Sequence, residues 1–318
     1  MNKKIFLTRR LPEAGMETLK NSGFEADIHN SDATLEAQAL RKGVRDVQGL
    51  ICLLDDRIDR RLIDAAPQLE VISNSAVGYN NIDIEYAQSK HIAVCNTPGI
   101  LTETTAELAW ALLFAAARRI PESDRFVRAG RFTGWKPMLM LGSDIHGKTL
   151  GVIGTGRIGT AFARKSKGFN MRILYSGKRN PELEKELGAE HAGLETLLRE
   201  SDFVSLHIPM RKENYHLIGE KELNMMKTSA YLINTARGAV VDEEALVEAL
   251  KSNRIAGAGL DVYEHEPALT PGLTELSNVV LTPHTGSAST ATRNIMAKMA
   301  VENCLKVLRG EACENRVV

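Results

Sequence analysis

No apolar run in this chain is long enough to cross a bilayer as a helix. The longest, Leu108 to Ala117 (LAWALLFAAA), is about half of the roughly 20 residues a spanning helix needs, and it fits a buried helix instead. Excess charge is also missing. Forty Lys and Arg stand against forty Asp and Glu, so no electrostatic footprint for nucleic acid or an anionic membrane is visible. The N-terminal MNKKIFLTRR is basic but meets Leu11-Pro12-Glu13 without the apolar core of about 7–15 residues that a secretory signal carries, and a cytoplasmic protein is expected. Cysteine is scarce and scattered: Cys52, Cys95, Cys304 and Cys313 form no C-x-x-C pair and no zinc-finger spacing with histidine. Reduced, mostly buried thiols and no metal site are the expectation. Internal repeats and low-complexity tracts are lacking too.

What is present is an ordinary globular composition, 43% apolar over 318 residues, long enough for two domains at about 150 residues each. Short apolar runs alternate with longer segments of helical period, the pattern of an α/β protein with parallel sheets covered by helices. Before residue 100 the strand candidates are Lys4 to Thr8, Phe24 to His29, Gly49 to Leu54, Val71 to Ser75 and Ile92 to Asn96. After it they are Thr149 to Ile153, Met171 to Tyr175, Phe203 to His207, Ala230 to Asn234, Ala256 to Val262 and Val279 to Thr282. Leu101 to Arg119 reads as a buried linking helix. Ser289 to Leu308 has helical period after the last strand and is expected to return to the first domain, making that domain discontinuous. The expected division is 1–99 and 288–318 for one domain and 100–287 for the other.

The segment Gly147 to Ile153 reads as a strand that enters Gly154-Thr155-Gly156-Arg157-Ile158-Gly159, and a helical run, Thr160 to Lys167, follows. In that setting Gly154 permits a tight turn, Gly156 lets the backbone approach a pyrophosphate, and Gly159 lets the helix lie close to the strand. The helix N-terminus offers free N–H groups to the phosphates, and Arg157 adds a charge-assisted contact. At the end of the next strand, NAD-selective sites carry an acidic residue for the ribose 2′-OH. Here the residues are Ser176-Gly177-Lys178-Arg179, with no carboxylate. Ser176 as donor and Lys178 and Arg179 as cations suit a 2′-phosphate, so NADP(H) is expected to be preferred, with NAD(H) as the alternative.

Three further segments place reactive side chains after strand ends, where open α/β sheets bind ligands. They are Asn234-Thr235-Ala236-Arg237-Gly238, the run Gly259 to Pro267 (GLDVYEHEP), and Leu281 to Ser287 (LTPHTGS). They hold one arginine, candidate carboxylates at Glu264 and Glu266, and two histidines, His265 and His284. Spacing alone does not choose between the two glutamates. His265 is read as a surface or packing residue.

With these motifs, together with VGYNNID from Val77, NTPG from Asn96, Thr105-Ala106-Glu107 and INTARGAVVDEEAL, the sequence resembles the D-isomer-specific 2-hydroxyacid dehydrogenase family from about Asn74 to the C-terminal helix. Gly134-Trp135-Lys136-Pro137 looks like the glyoxylate/hydroxypyruvate reductase and 2-ketogluconate reductase branch. The resemblance implies a Rossmann NAD(P)-binding domain inserted in a flavodoxin-like substrate-binding domain. It implies NAD(P)H-dependent reduction of a small 2-keto acid, such as glyoxylate, hydroxypyruvate or 2-ketogluconate, to the D-2-hydroxy acid. Arg237, Glu266 and His284 are implied as the catalytic trio. Chemistry agrees: Arg237 presents a planar fork to the substrate carboxylate or the adjacent carbonyl oxygen, His284 gives the proton, and Glu266 holds the imidazole and favours its charged form. Arg237 and His284 thereby also count as substrate contacts. Val77 and Gly78 resemble a carboxylate-holding turn; Thr105, His207, Pro209, Thr235, Ala236 and Asp261 resemble cofactor contacts.

One departure is that a threonine often found after the His-Ile-Pro stretch is replaced by Met210-Arg211-Lys212-Glu213-Asn214, with Asn214 the remaining donor. A homodimer through the second domain is implied, compatible with the apolar helix from Leu108. Trp135 is either an ordinary buried aromatic or a residue reaching a neighbouring subunit. Two other readings are a phosphoglycerate dehydrogenase-like enzyme of the same family and a dinucleotide-sensing, corepressor-like binding protein, for which no peptide-docking feature is identified.

Overall fold

Runs such as KIFL, GLIC, VISN and TLGVI are rich in β-branched residues and leucine, and they are buried along most of their length, as strands covered by helices on both faces must be. In a computed structural model that describes residues 3–318, they order into two all-parallel sheets belonging to two compact units, one comprising residues up to Leu101 with Ser287–Val318, the other Thr102–Gly286.

In the first unit, β1 (Lys4–Leu7), β2 (Glu25–Ile28), β3 (Gly49–Cys52), β4 (Val71–Asn74) and β5 (Ala93–Cys95) lie in the order β2-β1-β3-β4-β5, the flavodoxin-like order. Helix Thr290–Leu308, capped by Ser289 whose hydroxyl accepts the Thr292 N–H at 3.2 Å, packs on β3, β4 and β5 and on helix Glu13–Lys20. The two helices nearly touch: a Cβ at Gly15 would lie 2.8 Å from that of Ala297. Side chains from β1, β3, β4 and β5 join Ala297, Ala300, Val301, Cys304 and Leu305 in one apolar cluster.

The second unit holds β6 (Thr149–Ile153), β7 (Arg172–Ser176), β8 (Glu190–His191), β9 (Phe203–Leu206), β10 (Tyr231–Asn234), β11 (Gly257–Leu260) and β12 (Val279–Leu281), ordered β12-β11-β10-β9-β6-β7-β8. Counted within the unit this is the strand order of a dinucleotide-binding sheet with one strand added, and the order reverses between β6 and β9. Helix Thr102–Ala117 packs on β10, β11 and β12 and on helix Arg157–Lys165. Its Trp110 ring donates to the Phe162 carbonyl at 2.9 Å and stacks on Phe162 and Phe169.

All eleven strand candidates are present, each within two residues of its expected ends. β8 was not expected: Glu190 and His191 are both exposed, so no apolar run marks it. The helix after the glycine loop starts at Arg157 rather than Thr160, because the loop's own last residues form its first turn with Gly156 as the cap. Among the described residues, no helix is long and apolar enough to cross a membrane.

Candidate active site

The order reversal puts the carboxyl ends of β6 and β9 side by side, and the glycine loop occupies that point. Gly154 has φ 92°, in the left-handed region open to glycine, and a Cβ there would also strike the His207 carbonyl. A Cβ at Gly159 would overlap the Gly154 carbonyl oxygen, so this glycine lets the helix start close to the strand. At Gly156 the result is opposite: a Cβ meets nothing within 4 Å. An open approach at the head of helix Arg157–Lys165, with Arg157 exposed beside it, is what a pyrophosphate requires. Thr155 donates to the Lys178 carbonyl at 3.2 Å, and Ile158 packs into the core behind the loop. Thr235, at the end of β10, has a buried hydroxyl with no hydrogen-bond partner, a second feature that suits a bound polar group. These residues fit a nicotinamide dinucleotide.

At the end of β7 the geometry departs from the linear reading. Ser176 is the last residue of the strand, buried rather than on the loop. Lys178 is exposed. Arg179 is not free: its Nε and Nη2 donate to Glu184 at 2.9 and 3.3 Å, and the Tyr175 hydroxyl donates to the same carboxylate at 2.6 Å. A carboxylate missing from the strand end is thus supplied by helix Pro181–Leu187.

The ends of β10, β11 and β12 carry the remaining groups. After β10, Asn234 closes a turn by accepting the Ala236 N–H at 3.0 Å and donating to the Arg237 carbonyl at 2.9 Å. Arg237 follows, its Nη1 on the Ala236 carbonyl at 2.6 Å. Burial pushes its guanidinium down from the ordinary arginine value, and the charge of Glu266 opposes that. A Cβ at Gly238 would overlap the backbone of Tyr263 and Glu264, so only glycine lets the two loops lie together.

After β11, the Glu266 carboxylate accepts the Tyr263 N–H at 2.9 Å and faces His284 Nδ1 at 2.8 Å. Burial alone would raise the Glu266 carboxyl, but the His284 and Tyr263 hydrogen bonds, with Arg237 nearby, hold it below the usual carboxylate range. The His284 and Glu266 side chains remain 27% and 30% exposed, so the pair is open to a ligand. Glu264 turns elsewhere, to His216 Nε2 at 2.7 Å and the Tyr215 hydroxyl at 3.2 Å. Geometry therefore separates the two glutamates that spacing left open.

His284 itself has φ 52°, a left-handed backbone that costs a non-glycine residue about 1–2 kcal/mol. Asp261 holds it there. The buried Asp261 carboxylate accepts the Thr285 and Gly286 N–H groups at 2.7 Å each and the Thr282 hydroxyl at 2.6 Å, and its carbonyl accepts the His284 N–H at 2.9 Å. Thr105 donates to the Gly286 carbonyl at 3.0 Å. Both residues, expected as cofactor contacts, have their polar atoms committed to the loop that carries His284.

After β9, His207 meets Ser205 Oγ at 2.9 Å and packs on Phe162; burial pushes its imidazole down to about 3. Pro209 is exposed, and Asn214 donates to its carbonyl at 2.7 Å. In the first unit, Val77 and Gly78 lie in the half-buried turn after β4. Asn234, Gly238 and the buried Glu243, which accepts the Glu264 N–H at 2.8 Å and the Thr270 hydroxyl at 2.6 Å, were not singled out as parts of the site. Asn234 and Gly238 lie in the segment around Arg237, and Glu243 lies in the INTARGAVVDEEAL motif, but nothing in the sequence marks Glu243 as a brace for the Glu264 and Thr270 loop. Trp135 is 82% exposed, which rules out the buried-aromatic alternative within this chain. Among the described residues, no group of three or more His, Cys, Asp or Glu is placed to hold a metal ion.

Residues 110–286 match the model of the D-isomer specific 2-hydroxyacid dehydrogenase NAD-binding domain. Along its whole length the chain is 50% identical to the glyoxylate reductase of Thermococcus litoralis, covering 97% of that protein. A solved protein of Thermus thermophilus superposes with a TM-score of 0.93 at 45% identity, covering 99% of this chain and all of that one. The NADPH-dependent glyoxylate/hydroxypyruvate reductase of Sinorhizobium meliloti, solved with NADP and malonate, gives 0.87 at 32% identity over all of this chain and 97% of that one.

Proposed function

Since the chain belongs to the D-isomer-specific 2-hydroxyacid dehydrogenases, and is an NAD(P)-dependent oxidoreductase, we propose that it reduces glyoxylate, hydroxypyruvate or a similarly short 2-keto acid to the D-2-hydroxy acid, with NADPH preferred. The observation that carries this reading is the 2.8 Å contact between His284 and Glu266 with Arg237 on the adjoining loop.

When bound, the reduced dinucleotide supplies the hydride. The protein's residues do the rest. Helix Arg157–Lys165 and the open Gly156 would hold the pyrophosphate on N–H groups, Lys178, with Arg179 once it is released from Glu184, would supply positive charge for a 2′-phosphate, and Thr235 would offer its unpaired hydroxyl. Arg237 presents a planar fork to the keto acid, drawing negative charge onto the carbonyl oxygen. His284, with Nδ1 held by Glu266, gives the proton from Nε2 to that oxygen. The ionised Glu266 carboxylate stabilises the imidazolium that donates it. The turn at Val77 and Gly78 takes the substrate carboxylate on backbone N–H groups.

A homodimer through the second unit belongs to the same proposal. Helix Thr102–Ala117 spends most of its apolar residues on its own core. The next helix, Ile120–Arg128, and the segment after it leave Ile120, Val127, Phe132, Trp135, Met138 and Leu141 exposed, an apolar strip that a second copy would cover.

Purified protein assayed against a panel of short 2-keto acids, with NADPH and NADH in parallel, tests the reading. Consumption of NADPH with glyoxylate or hydroxypyruvate is expected. Absence of turnover with every keto acid would overturn it.

A further inference from the structure

We infer that Asn96 and Asn74 are positioning residues that aim the substrate-carboxylate donors of the turn after β4. The inference rests on the proposed role of Val77 and Gly78 and goes beyond it by naming what orients them.

Both asparagines stand at the carboxyl ends of neighbouring parallel strands. Ser73 pairs with Cys95 in the last step of the ladder between β4 and β5, so Asn74 and Asn96 follow side by side. Both are buried, at 0% and 9% exposure, where an amide side chain is costly unless bonded. Each spends its N–H on the turn: Asn96 Nδ2 donates to the Val77 carbonyl at 2.8 Å, and Asn74 Nδ2 to the Gly78 carbonyl at 2.8 Å. The carbonyl before them, that of Ala76, accepts the Thr97 N–H at 2.9 Å. Three consecutive carbonyls are thereby pulled onto the strand ends.

A trans peptide is planar, with its N–H on the edge opposite its C=O. Drawing in the Ala76 carbonyl therefore turns the Val77 N–H away from Thr97. Drawing in the Val77 carbonyl turns the Gly78 N–H away from Asn96, and drawing in the Gly78 carbonyl turns the Tyr79 N–H away from Asn74. The result is a short row of backbone donors facing off the sheet, a concavity suited to a carboxylate. The first of these orientations is set by backbone alone, while the other two depend on side chains that substitution can change.

The asparagines are themselves braced. Asn303 donates to the Asn96 carbonyl at 2.9 Å, the Asn96 N–H donates to the Asn315 carbonyl at 3.2 Å, and Asn74 Nδ2 also reaches Asn81 Oδ1 at 3.3 Å. Asn81 in turn donates to the Leu53 and Asp56 carbonyls at 3.0 Å. An apolar replacement of Asn96 frees the Val77 carbonyl, and the peptide between Val77 and Gly78 loses its preferred sense.

The experiment compares wild type with Asn96→Leu and Asn74→Leu. It measures kcat and KM for glyoxylate, NADPH affinity by fluorescence, melting temperature, and oxamate binding by calorimetry in the presence of NADPH. Loss of one charge-assisted donor should raise KM for glyoxylate and the oxamate Kd by roughly tenfold or more, with NADPH affinity unchanged and kcat changed much less. A folded Asn96→Leu protein with wild-type KM and wild-type oxamate Kd overturns the inference. Equal losses in NADPH affinity and oxamate affinity also overturn it, since they mark general disruption. If Asn96→Leu does not fold, Asn74→Leu decides by the same criteria. Should wild type bind oxamate but turn over no keto acid, the reductase reading fails while the calorimetric comparison still judges the asparagines.

Discussion

Replacing Gly156 and Gly159 separately by alanine should split two roles that a single motif combines. Gly156 has φ −70° and ψ −165°, a backbone alanine adopts without strain, and the added methyl meets no protein atom within 4 Å. On the folded protein the change is neutral, and by restricting the unfolded chain it stabilises by about 0.4–1 kcal/mol. For a protein of this size that is a rise in melting temperature of roughly 1–3 °C. The same methyl stands where a pyrophosphate would approach the helix N-terminus. Losing one charge-assisted N–H contact costs about 1.5–3 kcal/mol, which raises the NADPH Kd by roughly 10- to 150-fold. At Gly159 the methyl would overlap the Gly154 carbonyl oxygen and come within 3.1 Å of His207 Cβ, so backbone must move. Such overpacking costs about 1–3 kcal/mol, and the melting temperature should fall by several degrees. The assay pairs thermal unfolding without cofactor with NADPH titration. A Gly156→Ala protein that binds NADPH like wild type would refute the placement of the pyrophosphate at this loop.

Three further outcomes are expected. Glu184→Gln should release Arg179 and raise the ratio of kcat/KM for NADPH over NADH roughly two- to fivefold, while Arg179→Ala lowers it; unchanged ratios in both variants would remove Arg179 from cofactor choice. His207 is held neutral by burial, with its folded value pushed below the unfolded one of about 6.5, so unfolding takes up a proton below that pH. Stability should therefore be fully present above about pH 6.5 and fall by up to about 1.4 kcal/mol per pH unit on acidification, a slope that His207→Gln should reduce in urea melts between about pH 7 and 5. Val127→Asp with Phe132→Asp should shift the sedimenting species from dimer to monomer, and an unchanged mass would move the interface elsewhere.

The strands were legible in the sequence because fully buried parallel strands write themselves as unbroken apolar runs, and TLGVI needed no revision at either end. β8 was not, since two exposed polar residues carry no such signal. Within the site, motif reading named His284 and Glu266, and the fold brings them together at 2.8 Å. Linear reading could not see that Glu184 would swing onto Arg179 from the next helix, because that contact depends on how helix Pro181–Leu187 returns to β7. It was equally blind to the committed polar atoms of Asp261 and Thr105, and to the backbone crowding that makes Gly238 a glycine. Types of side chain are visible along a chain, but the hydrogen bonds that use them up are visible only in three dimensions.

The Asp261 clamp also has a mechanical meaning. Gly286, whose N–H and carbonyl are tied to Asp261 and Thr105, is the last residue of the second unit, and the chain leaves it at Ser287 only three residues beyond His284. Within that unit the clamp acts like the grip where a cable enters its housing: both backbone groups of the last residue are fastened, so the short segment that carries His284 is anchored at its far end as well as at Asp261.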